Sequence, residues 1–190
     1  MRLSFVYSHK NYIMYKSISI GIIIFALMFS SYTYIWQTSW NIQQDDYIIS
    51  FETQKVTGKI KGLEGKILFD ENKLQESEID VSVDVNTIAT GFWLKNNHAK
   101  SENFLNAEKH PKITFKSQDF KKTSAGYLVL GTLQIKGISK EISIPFTFDR
   151  EGTKGTFQGN FDINRTDFNL IKNGIGTILH VKIRLPVYTN

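Results

Sequence analysis

Apolar and polar side chains alternate in short runs from about residue 47 to the C-terminus. The pattern is plainest in residues 126–149. Tyr127, Val129, Leu133 and Ile135 share one face of its first half. Ile142, Ile144, Phe146 and Phe148 share one face of its second half, against Glu141, Ser143 and Thr147. Period two marks a strand with one side buried and one side wet. Lys136-Gly137 stands where the chain must reverse, so the stretch predicts a hairpin with a two-residue turn. A hairpin with so apolar an inner face needs further strands around it.

Those strands are predicted by the same alternation. Ile49 and Phe51 oppose Ser50 and Glu52, and Ile67 and Phe69 oppose Lys66 and Asp70. Ile79, Val81, Val83 and Val85 oppose Asp80, Ser82 and Asp84, and Ile113 and Phe115 oppose Thr114 and Lys116. Near the C-terminus Phe157, Phe161 and Ile163 form one inner face, and Leu179, Val181, Ile183, Leu185 and Val187 another. Lys61-Gly62, Asp70-Glu71-Asn72, Ser124-Ala125-Gly126, Glu151-Gly152 and Asn173-Gly174 read as the intervening turns. About eight such strands predict an antiparallel all-β sandwich or barrel. Residues 91–110 break the alternation and have helical composition, with Ser101 as an N-cap for a short turn holding Phe104 and Leu105 and with Pro111 as the stop. An eight-stranded barrel is either filled by its own side chains or holds one small ligand, and periodicity accommodates both. Gly131 and Gly159 fall at inward positions, where glycine marks a bend or a close approach.

The N-terminal part has a different character. Residues 18–36 carry no charge, and at ~1.5 Å per residue they would span roughly 28 Å as a helix, close to a bilayer's hydrocarbon thickness. Tyr12 and Tyr15 precede them, while Tyr32, Tyr34, Trp36 and Trp40 crowd the other end as interfacial aromatics do. Lys10 and Lys16 lie before the segment and Asp45 and Asp46 after it, which predicts residues 1–17 as a cytoplasmic tail and the body outside the cytoplasm, in the periplasm. A cleaved signal peptide is the alternative, and it also exports the body. Residues 37–46 read as a short linker that would hold a barrel of residues 47–190 against the membrane, its opening near the bilayer.

Charge and chemistry narrow the function classes. The net charge is +5, but Arg2, Lys10 and Lys16 precede residue 37, leaving a nearly balanced body of 20 basic and 18 acidic residues. That balance argues against nucleic acid as a partner. No cysteine is present, which excludes disulfides and thiolate chemistry. His98 and His110 lack the spacing of metal ligands. Ser139, Lys140 and Ser143 have no base in reach, and Gly174-Ile175-Gly176 is a loop and no phosphate cradle. The sequence therefore predicts no catalytic residue, metal site or cofactor. Asp162, Arg165 and Asp167 read as an ion network at a barrel end, with a clamp on a ligand head group as the alternative.

Several motifs, in order, resemble the YceI-like family of lipid- or polyisoprenoid-binding proteins. They are the stretch from Gly58 through Gly91, then Lys95-Asn96-Asn97-His98-Ala99-Lys100-Ser101-Glu102-Asn103-Phe104, then Glu108-Lys109-His110-Pro111 with Ile113 and Phe115, then Gly131-Thr132-Leu133-Gln134-Ile135-Lys136-Gly137, and Asn164-Arg165-Thr166-Asp167-Phe168. The likeness runs from about Phe51 to Val187. It departs from the family at Asp46-Tyr47, where His-Ser is frequent, and at Lys95-Asn96, where Arg-Asp is frequent. The resemblance implies an eight-stranded, lipocalin-like barrel around an apolar tunnel for a lipid or isoprenoid tail, such as that of an isoprenoid quinone, with the helical insertion by its mouth. On that reading the first strands contribute Phe51, Phe69, Val81, Val83 and Phe115 to the tunnel. The hairpin contributes Tyr127, Val129, Leu133, Ile144 and Phe146, and the last strands Phe161, Val181 and Ile183. Trp93, Lys95, His98, Phe104 and Arg165 are the candidates for the mouth and head group. The rival readings are a ligand-free structural or interaction barrel and, less favoured, a small-molecule enzyme. The sequence leaves room for a homodimer.

Overall fold

The structure, a computed structural model, describes residues 38–172 and 174–190. The proposed tail and hydrophobic segment, residues 1–36, lie outside the described residues. Among the described residues nine strands follow one another: β1 (Asn41–Ile42), β2 (Ile48–Glu52), β3 (Thr57–Leu68), β4 (Glu78–Ala89), β5 (Lys112–Thr123), β6 (Gly126–Ile135), β7 (Ile138–Glu151), β8 (Lys154–Asn164) and β9 (Ile178–Tyr188). One helix, α1 (Trp93–Lys100), follows β4. Every pairing is antiparallel, and neighbours pair in sequence from β2 to β8. β9 then pairs with β8 on one side and with β2 on the other, so the sheet closes into a barrel. The two-residue β1 pairs with β9 at Val187 and Tyr188, beyond the stretch that β2 covers, so the barrel has eight strand positions. Closure removes the unpaired edges that an open sheet would expose.

The β6–β7 hairpin is as its sequence predicts. Ile135 faces Ile138, and Lys136 and Gly137 both take positive φ, 52° and 76°, as a two-residue hairpin turn requires. Other local features correct the sequence reading. Lys61-Gly62 is no turn: β3 runs unbroken through it, with register shifts between Lys59 and Lys61 and between Lys61 and Glu64 that mark an irregular stretch around Gly62. In β5 an extra residue between Ser117 and Asp119 shifts the alternation. That bulge lets Phe120 point inward with Phe115 despite their odd spacing. Ser101 does not cap a following turn with its side chain. It closes α1 instead, its backbone N–H and its Oγ both donating to His98 O at 3.2 and 2.8 Å. Residues 38–46, read as a free linker, belong to the barrel. Ser39 bridges to Leu68, Trp40 is 3% exposed and donates from Nε1 to Phe69 O at 2.9 Å, and Asn41-Ile42 form β1.

The core is unequal along the barrel axis. At the end carrying the β1–β2, β3–β4, β5–β6 and β7–β8 turns, aromatic rings pack against one another. Phe69 is their hub, its ring centroid 5.1–6.0 Å from those of Tyr127, Phe148, Phe146, Phe157 and Phe120. Trp40 packs edge-on against Phe148 at 5.0 Å. Edge-to-face contacts of this kind add ~0.5–1.5 kcal/mol each beyond area burial. Towards the other end the inward residues are mostly branched aliphatics, and Val81, Val83, Ile113, Ile144, Leu179 and Ile183 are only partly buried although they face inward.

Two predictions follow from this packing. A Cβ on Gly131 would stand 2.4 Å from Lys116 O and 2.6 Å from the Phe115 ring. Gly131→Ala is therefore expected to lower stability by about 1–3 kcal/mol in urea unfolding. Unchanged stability would show that the Phe115 ring does not need that space. Burial and the hydrogen bond from Tyr127 Oη to Glu71 Oε1, 3.0 Å, hold the Tyr127 phenol above its ordinary value of 10. The folded state thus keeps this proton longer than the unfolded one. The resulting stability is full below pH 10 and is lost as pH rises through the folded value. Tyr127→Phe is expected to flatten that alkaline decline, read as urea midpoint against pH.

Candidate functional site: an apolar tunnel with a cationic rim

The half of the barrel without the aromatic cluster is hollow. Its cavity measures about 1220 Å³, larger than the ~300–1,000 Å³ of common small-molecule sites. Phe51, Val81, Val83, Phe115, Val129, Leu133, Ile144, Phe146, Phe161, Val181 and Ile183 line it, as the alternation places them. Phe69 and Tyr127 do not. Both face inward, but they sit in the aromatic cluster that closes the other end. Periodicity gives the face of a strand and not the depth along it. The wall also includes Ile49, Ile163, Leu179 and Leu185, which carry the same inward signal, and Ile60 and Leu63, whose spacing of three across the irregular register of β3 hid them.

Aromatic residues in the hollow half leave it open because two of them lie along the wall. A Cβ on Gly58, which pairs with Phe51, would stand 2.4 Å from the Phe51 ring, and the Phe115 ring covers Gly131 in the same way. Glycine lets each ring lie flat over the neighbouring strand instead of reaching across the lumen.

The open end is built by the β2–β3 turn, by α1 with residues 101–111, and by residues 165–177. Each is held by polar side chains satisfying backbone. Thr53 Oγ1 accepts from the backbone N–H groups of Lys55 and Val56, which shapes the β2–β3 turn. Asn96 Oδ1 accepts from both the backbone N–H and Oγ1 of Thr90, 2.7 Å each, and pins α1 to the end of β4. The His98 ring packs on Phe104 at 5.6 Å, and both line the cavity.

Arg165 is the largest correction. It is 4% exposed and joins no carboxylate. Its Nε donates to Gly176 O at 2.7 Å, its Nη2 to Lys172 O and Ile175 O at 2.8 and 2.9 Å, and its Nη1 to Leu170 O. The planar fork of donors thus gathers a whole loop around one side chain. Asp162 lies on the outer wall with His180, Oδ1 to Nδ1 2.6 Å, and Asp167 is exposed, so the three do not form an ion network. Lys95, like Arg165, lines the cavity, but Trp93 does not. It points away, 65% exposed and 6.3 Å from the Phe92 ring, and Leu94 takes the inward place. Among the described residues no group of His, Asp or Glu side chains could hold a metal ion.

Arg165→Met would orphan four carbonyls. It is expected to cost roughly 2–3 kcal/mol and to raise amide exchange across residues 166–177 far more than in β5–β7. Arg165→Lys should not rescue, because an ammonium cannot reach the same set of oxygens. Uniform exchange across the barrel in Arg165→Met would contradict the loop-holding role.

The YceI-like domain model matches residues 40–187. A UPF0312 protein of Yersinia enterocolitica is 29% identical over 119 residues, a match covering 60% of this chain and 62% of that protein. Among solved structures, BcnA of Burkholderia cenocepacia superposes with a TM-score of 0.71 at 23% identity, covering 77% of this chain and 99% of that one. A polyisoprenoid binding domain from Saccharophagus degradans superposes with a TM-score of 0.63 at 15% identity, covering 81% and 100%. At these identities the structural likenesses are of fold. The family match spans nearly all of the barrel described above, from Trp40 to Val187, and the chain belongs to the YceI-like domain family.

Proposed function

We propose that the barrel binds the hydrocarbon tail of a lipid, an isoprenoid chain above all, as a carrier, store or sensor outside the cytoplasm. One observation carries this reading: a closed barrel stoppered by aromatic rings at one end, with a hollow of about 1220 Å³ lined by aliphatic side chains at the other. Water in such a space finds few partners, whereas each methylene buried there yields ~0.8 kcal/mol. A long tail therefore needs no covalent chemistry to stay bound. The likeness to a polyisoprenoid binding domain agrees in kind. A binding role is favoured over catalysis because, among the described residues, no carboxylate lines the cavity to serve as general acid or base, and the His98 ring packs on Phe104. Attachment to a membrane through residues 18–36 remains part of the proposal on sequence grounds alone.

The test is native mass spectrometry of the full chain purified from its own membranes, followed by extraction of bound lipid. A long-chain guest is expected. Val83→Trp with Ile144→Trp, which fills the lumen, should lower uptake of a fluorescent long-chain alcohol at least about tenfold while the barrel stays folded by circular dichroism. Recovery of no lipid, together with no uptake by the unaltered chain, would end the reading.

A further inference from the structure

The tunnel wall carries a one-sided charge. Among the described residues its charged side chains are Lys55, Lys95, Arg165 and Lys172, and no Asp or Glu lines it. The three lysines come from three separate segments, the β2–β3 turn, α1 and the loop after β8, and all three segments lie at the open end. Two of those segments touch: a Cβ on Gly174 would be 4.0 Å from Lys55 Nζ. The lysines therefore ring the opening.

The ring is not neutralised by the protein. On the outer surface Lys66, Lys73, Lys112, Lys116 and Lys121 each lie within ion-pair distance of a carboxylate. None of Lys55, Lys95 and Lys172 has such a partner among the described residues. Arg165 cannot serve in their place, because its donors already bind four loop carbonyls. It holds the loop that presents Lys172. The opposite end has the reverse balance, with Asp45, Asp46, Asp70, Glu71 and Glu76 in its loops against Lys73. Glu102, Glu108 and Asp167 stand in the loops of the open end but do not line the cavity, so the wall where the head of a tail-bound molecule must emerge carries positive charge alone.

We infer that the ligand is an acid: a long hydrocarbon whose head is an anionic group, phosphate or carboxylate, held at the rim by Lys55, Lys95 and Lys172. The inference rests on the tail-binding reading and adds the head to it. Flexible ammonium groups act as point charges, without the planar fork that selects one oxyanion shape. They favour either acid over a neutral alcohol, quinone or amide. Being exposed, they act through a field that salt screens within ~10 Å at 0.1 M.

The experiment measures binding of farnesyl phosphate against farnesol, and of palmitate against hexadecanol, to the full chain in neutral detergent. At low ionic strength the acid of at least one pair is expected to bind about tenfold more tightly than its alcohol, the sum of three modest exposed interactions. That ratio should shrink towards one at about 0.5 M salt. It should also collapse in Lys55→Gln/Lys95→Gln/Lys172→Gln, checked for folding by its melting transition. A control on the outer wall, Lys116→Gln/Lys121→Gln/Lys140→Gln, should keep the ratio. Which pair shows the preference tells phosphate from carboxylate. Equal binding of acid and alcohol in both pairs, or a preference that survives the triple rim substitution, overturns the inference and leaves the tail-binding reading standing. Binding of none of the four overturns both.

Discussion

Eight strands closed on themselves fix the girth of this barrel, and side-chain size then decides what is inside it. Where the inward residues are Trp40, Phe69, Phe120, Tyr127, Phe146, Phe148 and Phe157, rings pack against one another, and Phe146 and Phe157 form the floor of the hollow. Where they are Val81, Val83, Ile144, Val181 and Ile183, opposite walls do not meet. Glycines extend the hollow by letting Phe51 and Phe115 lie against the sheet. A solid stopper and an open lumen are thus two outcomes of one closure, separated only by the residues written onto successive rungs.

The rim follows from a second constraint, that buried backbone polar groups need partners. Loops at the mouth of an apolar tunnel have no sheet to pair with and little water on their inner side. Thr53, Asn96 and Arg165 supply the missing partners, each serving two or more backbone or side-chain groups. Because structure is carried by these three, the lysines beside them are free of structural duty. Arg165 shows the division most clearly. It carries a full positive charge at the mouth, yet it is buried and its donors are occupied by loop carbonyls.

The strand faces were legible in the sequence wherever alternation ran unbroken, as in β6, β7 and β9. Alternation says nothing of bulges. The additional residue in β5 that turns Phe120 inward has no signature beyond an odd spacing, and the glycines of β3 look like a turn until the strand is seen to continue past them. Depth was equally hidden. Phe69 and Val81 carry the same inward signal, yet one is the hub of the stopper and the other lines the lumen. Around the mouth, residue type was a poor guide. Asp162 and Asp167 stand close to Arg165 in sequence, but its partners are carbonyls, which every residue carries and no motif reveals.

Trp40 locks the start of the described chain into the stoppered pole, a barrel's length from the opening. Strands of 11 or 12 residues, tilted as barrels require, make that length roughly 25–30 Å. Chain running on from Thr38 therefore joins the barrel at the base of a cup, and the lip of that cup lies at the far side.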